Sequence, residues 1–283
     1  MTTNEAIQRA SDACNEADAL LITTGAGMGV DSGLPDFRGN EGFWNAYPSY
    51  RKLGVNFMEM ANPTRFSDQP ELGWGFYGHR RNLYRAIKPH AGFARLLDFG
   101  ISLPHQYFCF TSNVDGHFQA ANFDPERIIE CHGSINHLQC IGDCEAKIWR
   151  AEKEAIKIDE TTMRADTDSM PGCPDCGKLA RPNILMFGDW GWNSQRCEQQ
   201  GERYNKWLRT IIEAAAKLVV LEFGAGRAVP TVRLQSEKIA SDIPEATLIR
   251  INPREPEIDP PCAGISLESG ALEAIGELQI AKR

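Results

Sequence analysis

Several things are scarce or missing in this 283-residue chain. No apolar run approaches the length of a membrane-spanning helix; the longest stretches, such as Leu218–Leu221, are strand-sized. The opening segment MTTNEAIQRASDACNEAD has no apolar core and is net acidic, unlike a secretory signal, so a cytoplasmic protein without membrane partners is expected. Basic charge is in deficit, 30 Lys and Arg against 38 Asp and Glu, which argues against a nucleic-acid partner gripped along its phosphates. Cysteine is sparse at nine residues, an odd number, so no disulfide framework is expected. Internal repeats and low-complexity segments are lacking. With 42% hydrophobic and 24% charged residues, one large or two small globular domains remain.

The residues present suggest an α/β protein. Thr2 and Glu5 fit a capping box, and Ala6, Ala10, Cys14 and Ala17 follow at helical spacing. Short apolar runs at Ala19–Thr23, Tyr107–Thr111, Arg127–Glu130, Lys217–Phe223 and Thr247–Ile251 read as buried parallel strands, with helical stretches such as Tyr204–Ala216 between them. The pattern predicts a doubly wound parallel-sheet, Rossmann-like domain. Two segments interrupt it. Residues 40–90, rich in aromatics including Phe43, Trp44, Tyr47, Tyr50, Trp74 and Phe76, are too long for a simple loop and read as a helical insertion. Residues 134–182 read as a small metal module. The sheet domain is then discontinuous, over 1–39, 91–133 and 183–283, with a smaller zinc-binding and helical lobe inserted.

The metal reading rests on Cys140-x3-Cys144 and Cys173-x2-Cys176, two thiol pairs on Gly- and Pro-containing turns. Such pairs form a closed tetrahedral thiolate site, which makes one zinc ion structural rather than catalytic. Gly25-Ala26-Gly27 follows a strand and suits backbone approach to a diphosphate, although a plain tight turn reads equally well. Val30 breaks the full dinucleotide fingerprint, and no acid stands about 20 residues on, so a dehydrogenase is disfavoured.

The stretch Gly25-Ala26-Gly27-Met28-Gly29-Val30-Asp31-Ser32-Gly33-Leu34-Pro35-Asp36-Phe37-Arg38-Gly39 resembles the first signature of the sirtuins, NAD-dependent protein-lysine deacylases. Further resemblances follow in order: Thr111-Ser112-Asn113-Val114-Asp115, His132-Gly133-Ser134, the cysteine pairs, Arg181-Pro182 with Phe187-Gly188-Asp189, Phe223-Gly224-Ala225-Gly226, and Ile251-Asn252. Together they span about residues 19 to 275. The resemblance implies NAD as co-substrate, an acyl-lysine protein or peptide as partner, and transfer of the acyl group to ADP-ribose with release of nicotinamide. It implies His132 as general base on the ribose, Asp115 at the nicotinamide and Asn113 on the ribose side. NAD would also meet Gly25, Ala26, Gly27, Asp36, Phe37, Arg38, Ser112, Gly224, Ala225 and Asn252, and the substrate would meet Phe187 and Gly188.

Read from the residues alone, Asn113 and Asp115 also suit an Asx turn, Asp36 an N-cap, and His132 a packed histidine. Tyr77 and Arg80, one helical turn apart, are either a solvated face or a phenol and guanidinium set to hold a carboxylate. Their segment resembles the sirtuin subgroup that removes succinyl and malonyl groups. The sequence departs from the family at Gly29, Ser112 and Gly226, where Ser, Gln and Ser are usual, and at Asp189, where Glu is usual; Trp190 and Trp192 crowd the expected peptide edge. These departures keep open an NAD hydrolase or mono-ADP-ribosyltransferase, and a non-catalytic NAD or ADP-ribose sensor.

Overall fold

The computed structural model describes residues 3–35, 39–52, 54–142, 144–145, 147–151 and 155–281. The strands in chain order are β1 (Ala19–Thr24), β2 (Tyr107–Thr111), β3 (Ile128–Glu130), β4 (Gly133–Cys140), β5 (Trp149–Arg150), β6 (Ile158–Asp159), β7 (Arg164–Ala165), β8 (Ala180–Ile184), β9 (Leu218–Phe223), β10 (Ala246–Ile251) and β11 (Gly264–Leu267).

Six of them form one sheet in the order β11-β10-β9-β1-β2-β3, and every pairing is parallel. The expected doubly wound sheet is therefore present. Every residue of β1, β2, β3 and β9 is buried, which is why these strands read as unbroken apolar runs. Strand alternation divides them between two cores. Leu20, Ile22, Val219, Leu221 and Ile249 pack with the helices Thr3–Glu16, Ala91–Ser102 and Ala271–Glu277. Leu21, Phe108, Val220 and Leu248 face the helices Gln195–Glu213 and Thr231–Asp242, through Tyr204, Trp207, Ile211 and Val232. The chain leaves β1 toward β2 and β3 on one side and returns to β9 on the other, so a topological switch lies between β1 and β9. Open α/β sheets place their ligands outside the carboxyl ends of the strands at such a point.

The aromatics of the insertion make a third core. Phe43, Tyr47, Tyr50, Phe66, Trp74, Phe76 and Tyr77 pack with Ile135, Leu138, Ile156, Met163, Ala180 and Ile184. The insertion and the cysteine-bearing segment thus share one interior. In that segment β4 pairs antiparallel with β5 and β8, and β6 pairs with β7. The helix Pro70–Ala86 lies so close to this hairpin that a Cβ on Gly75 would stand 1.9 Å from the Met163 carbonyl oxygen.

Three boundaries differ from the sequence expectation. Arg127 ends a 3-10 turn rather than opening β3, the helix expected over Tyr204–Ala216 runs Gln195–Glu213, and the short edge strand β11 is additional. Thr2 lies outside the described residues. Among the described residues no helix is long and apolar enough to cross a membrane.

Candidate active site

The glycine loops after β1 and β9 meet at the switch point. Gly27 N–H donates to the Gly224 carbonyl (3.1 Å), and Gly25 N–H donates to the Phe223 carbonyl (3.0 Å). A Cβ on Gly224, at φ +59°, would stand 2.4 Å from Gly27 Cα, and one on Gly25 would stand 2.8 Å from the Gly224 oxygen. Neither position admits a side chain, so loop-on-loop packing alone demands both glycines.

The end of β2 is tied to the same loop. Thr24 Oγ1 donates to Thr111 Oγ1 (2.7 Å), Asn113 N–H donates to Thr111 Oγ1 (3.0 Å), and Asn113 Nδ2 donates to the Gly25 carbonyl (2.9 Å). The Ser112 backbone N–H donates to the Thr24 carbonyl at 3.1 Å. Asn252, fully buried, donates from Nδ2 to the Ala225 carbonyl (2.9 Å) while its Oδ1 accepts from the N–H groups of Arg254 and Glu255. Gly25, Gly27, Asn113, Gly224, Ala225 and Asn252 are thereby brought together along one rim. Asp36, Phe37 and Arg38 lie outside the described residues.

His132 follows β3 directly. Its backbone is held by the Leu185 N–H, which donates to the His132 carbonyl (3.0 Å), and its Nε2 lies 3.3 Å from Thr231 Oγ1. Burial holds the imidazole below its ordinary pKa of 6.5, so at neutral pH the ring is uncharged and ready to accept a proton. The acid limb of any activity that needs neutral His132 is expected below pH 6.5: activity is lost as pH falls through the depressed pKa and is retained above it. A pH profile of kcat/KM checks this, and a limb at or above the ordinary histidine value would count against it. Thr231, far away in sequence, carried no signal linking it to His132.

Asp115 bends back on itself: its Oδ1 accepts from the His117 N–H (2.8 Å), and its carbonyl accepts from Asn136 Nδ2 (3.4 Å). Asp115 therefore makes the local turn that its residue type allows, whereas the Asn113 side chain reaches across to the Gly25 loop. Phe187 N–H donates to the Ala61 carbonyl (2.9 Å) and its ring meets Phe57 edge-on at 5.9 Å. Asp189 is bound bidentately by Arg181 at 2.7 and 2.8 Å with both side chains buried, and it also receives the N–H groups of Met186 and Gly191. The loop carrying Phe187 and Gly188 is thus braced from within. Trp190 on that loop is 100% exposed, so it projects into solvent rather than crowding its neighbours, whereas Trp192 is half-buried.

Arg80 is buried among aromatic rings. Its guanidinium carbon lies 5.2, 5.7 and 5.3 Å from the centroids of Phe76, Tyr77 and Tyr84. Nε and an Nη donate to the Tyr84 hydroxyl at 2.9 and 2.7 Å. Tyr77 and Arg80 do come together, but the phenol bonded to the guanidinium is Tyr84, one turn further along the helix. That i, i+4 spacing was the signal available in the sequence.

The four cysteines cluster. Cys140 Sγ and Cys176 Sγ are 3.6 Å apart, as are Cys144 Sγ and Cys173 Sγ, and all four sulfurs lie within 4.8 Å of one another. No disulfide joins them. Thiolates at about 2.3 Å from one tetrahedral zinc ion stand about 3.8 Å apart, so the set fits zinc. One zinc per chain is the expected result of metal analysis, with Cys173→Ser reducing it to well below half; full occupancy in that variant would discard the site.

A model of the Sir2 family matches residues 25–212. The NAD-dependent protein deacylase of Pyrococcus abyssi is 34% identical over 172 residues, a match covering 60% of this chain and 60% of the relative. That of Thermus thermophilus is 29% identical over 282 residues, covering 97% of this chain and 94% of the relative. Among solved structures, a mutant Sir2 homologue complexed with ADP-ribose superposes with a TM-score of 0.66 at 25% identity, covering 96% of this chain and 94% of the other. A Sir2 homologue complexed with NAD has the same TM-score at 24% identity, covering 96% and 91%, and shares the fold.

Proposed function

The chain belongs to the Sir2 family, and on that premise we propose that it is an NAD-dependent protein-lysine deacylase. The observation that carries the reading is His132: a half-buried imidazole, held uncharged at neutral pH, following β3 at the carboxyl edge of the sheet. The relatives named above as deacylases, and the homologues held with NAD and ADP-ribose, support the choice of reaction and co-substrate.

The crevice beside the switch point would take NAD, with its phosphates against the loops of Gly25–Gly27 and Gly224–Ala225 and its adenosine toward Asn252. Asn113 would serve the ribose and Asp115 the nicotinamide carboxamide. Departure of nicotinamide would open the sugar carbon to the amide oxygen of an acyl-lysine; addition of water would then break the bond to the lysine nitrogen, freeing the amine and leaving the acyl group as an ester on ADP-ribose. His132 Nε2 would take the ribose hydroxyl proton, with Thr231 Oγ1 orienting the ring. The zinc, closed by four thiolates, would hold the far end of β4 and take no part in the chemistry. Residues 40–90 and 134–182 would act as one lobe over residues 1–39, 91–133 and 183–283.

The buried guanidinium of Arg80 favours an acidic acyl group such as succinyl. A charge-assisted bond to the acyl carboxylate is worth about 1.5–3 kcal/mol. Arg80→Met is therefore expected to lower desuccinylation roughly ten- to a hundredfold more than deacetylation. Equal losses on the two peptides would remove the acyl-carboxylate role.

A second reading, NAD hydrolysis or ADP-ribosyl transfer, draws on three positions. A side chain at Gly29 would meet Leu34 Cδ1 at 2.8 Å, Ser112 Oγ turns to the Thr24 carbonyl at 3.5 Å, and Gly226 faces Glu255 Oε2. The experiment that separates the readings is nicotinamide release from NAD, with and without acetyl-, succinyl- and long-chain-acyl-lysine peptides. Release that requires one peptide supports the deacylase; release without any peptide supports the second reading. NAD bound and left intact with every peptide would indicate a sensor.

A further inference from the structure

We propose that Tyr84 sets which acyl groups the chain accepts: its hydroxyl holds the edge of Arg80 that an acyl carboxylate would grip, so that neutral and acidic acyl-lysines both fit. This deepens the deacylase reading and rests on it.

The contact is made at one edge of the guanidinium. Nε and Nη2 of Arg80 both donate to the Tyr84 hydroxyl oxygen, at 2.9 and 2.7 Å. Two such donors form the planar fork that meets a carboxylate through two parallel bonds. Here both lone pairs of one phenol oxygen take that place. The i, i+4 spacing on the helix Pro70–Ala86 brings the two side chains together. Tyr77, the other phenol beside Arg80, is held between the rings of Phe66 and Phe76 at 5.7 and 5.0 Å. It meets the guanidinium through its ring, 5.7 Å from the centroid.

Charge separates the phenol from its competitor. Burial holds the Tyr84 hydroxyl above its ordinary pKa of 10.0, although Arg80 pulls the other way, so the phenol is neutral at neutral pH. It satisfies two donors of Arg80 without cancelling the charge. A carboxylate would do both, and Arg80 and Tyr84 are both buried, where a charge-assisted bond is stronger than a neutral one. An acidic acyl group therefore competes for the fork and displaces the hydroxyl. Tyr84 also lines a cavity of about 520 Å³ with Asp115 and Asn136, which gives the phenol room to turn aside. A neutral acyl group leaves the hydroxyl in place, and no N–H on that edge is stranded. The displacement opposes acidic acyl groups alone, so Tyr84 narrows the preference that Arg80 creates.

The test is calorimetric titration of the full, zinc-loaded chain, without NAD, with two peptides of one sequence that carry succinyl-lysine or acetyl-lysine. Tyr84→Phe keeps the ring against the guanidinium and removes the competing oxygen. It is expected to raise the succinyl-over-acetyl affinity ratio at least tenfold, and Tyr84→Leu, which also lacks the hydroxyl, to move it the same way. Adding Arg80→Met to Tyr84→Phe is expected to bring the ratio below that of the unaltered chain. Zinc content and melting temperature show that each variant folds. An unmoved ratio in both Tyr84 variants would make the hydroxyl merely structural, and a falling ratio would make it a donor to the acyl carboxylate. A ratio still high without Arg80 would place the carboxylate elsewhere, and each of these results overturns the proposal. Failure of the unaltered chain to bind either peptide would overturn the deacylase reading and this proposal with it, whereas binding of both with an unmoved ratio overturns the proposal alone.

Discussion

His132→Ala is expected to lower kcat for acyl-lysine-dependent nicotinamide release by about 10²- to 10⁴-fold, the usual worth of a positioned general base. The side chain can be removed without disturbing its setting. The Leu185 N–H bonds to the backbone carbonyl of His132, and the preceding strand β3 is fixed by its ladder to β2 and by the ion pair of Glu130 with Arg196. The affinity for NAD is expected to stay within a few-fold, because the glycine loops, Asn113 and Asn252 are bonded to one another rather than to His132. Single-turnover kinetics beside NAD titration checks both halves. A loss of less than tenfold would pass the proton to another group, and NAD affinity falling in step with kcat would make His132 a binding residue.

The second large effect lies in the two strands that lead to Gly224 and Asn252. Arg250 and Glu222 are register partners on β10 and β9, both 0% exposed, and the guanidinium grips Glu222 bidentately. It also donates to Glu237 Oε1 on the helix Thr231–Asp242 (2.9 Å) and to the Glu257 carbonyl (2.8 Å). Arg233 donates to the carbonyls of Glu255 and Glu257, so two arginines brace the segment that follows Asn252. Arg250→Met leaves the Glu222 carboxylate buried and alone, and the expected cost is about 3–5 kcal/mol of unfolding free energy. Glu222→Gln in that background is expected to restore part of it, since the stranded charge is the main penalty. Urea unfolding of the two variants measures this; a loss under about 1 kcal/mol, or no recovery in the double variant, would show that water reaches the carboxylate.

What the sequence disclosed follows from what periodicity and spacing encode. An apolar run says that both faces of a strand are buried, so β1, β2 and β9 were legible, while the short edge strand β11, with exposed and half-exposed positions, carries little such signal. Cysteine spacing says which thiols share a turn, and the two turns did meet. Pairing across the fold has no local trace. Thr231 beside His132, and Glu222 opposite Arg250 inside runs that read as apolar, are set by sheet order and register. The glycines of the first signature were legible as a close approach, but the surface they approach is itself a second glycine loop. Part of what reads as a phosphate cradle is therefore the joint between β1 and β9.

The strand β4 starts beside His132 and ends at Cys140, yet it is not a continuous ladder. Ser134 pairs with Asn183 and Leu138 with Pro182, so the residues between them on β4 have no counterpart on β8. They turn elsewhere: Ile135 N–H donates to the Val114 carbonyl, Asn136 binds the Asp115 carbonyl, and His137 pairs with Arg150 of β5. The interruption works as a slip joint. Opening of the cysteine turns, by metal loss or thiol oxidation, frees the amides of Leu138–Cys140 to exchange with solvent. The amides of Ile135 and Leu185 keep their bonds to the sheet-domain end and stay protected. Damage at the thiols then erodes the cysteine-bearing segment from its tip, and His132 is among the last residues to lose its place.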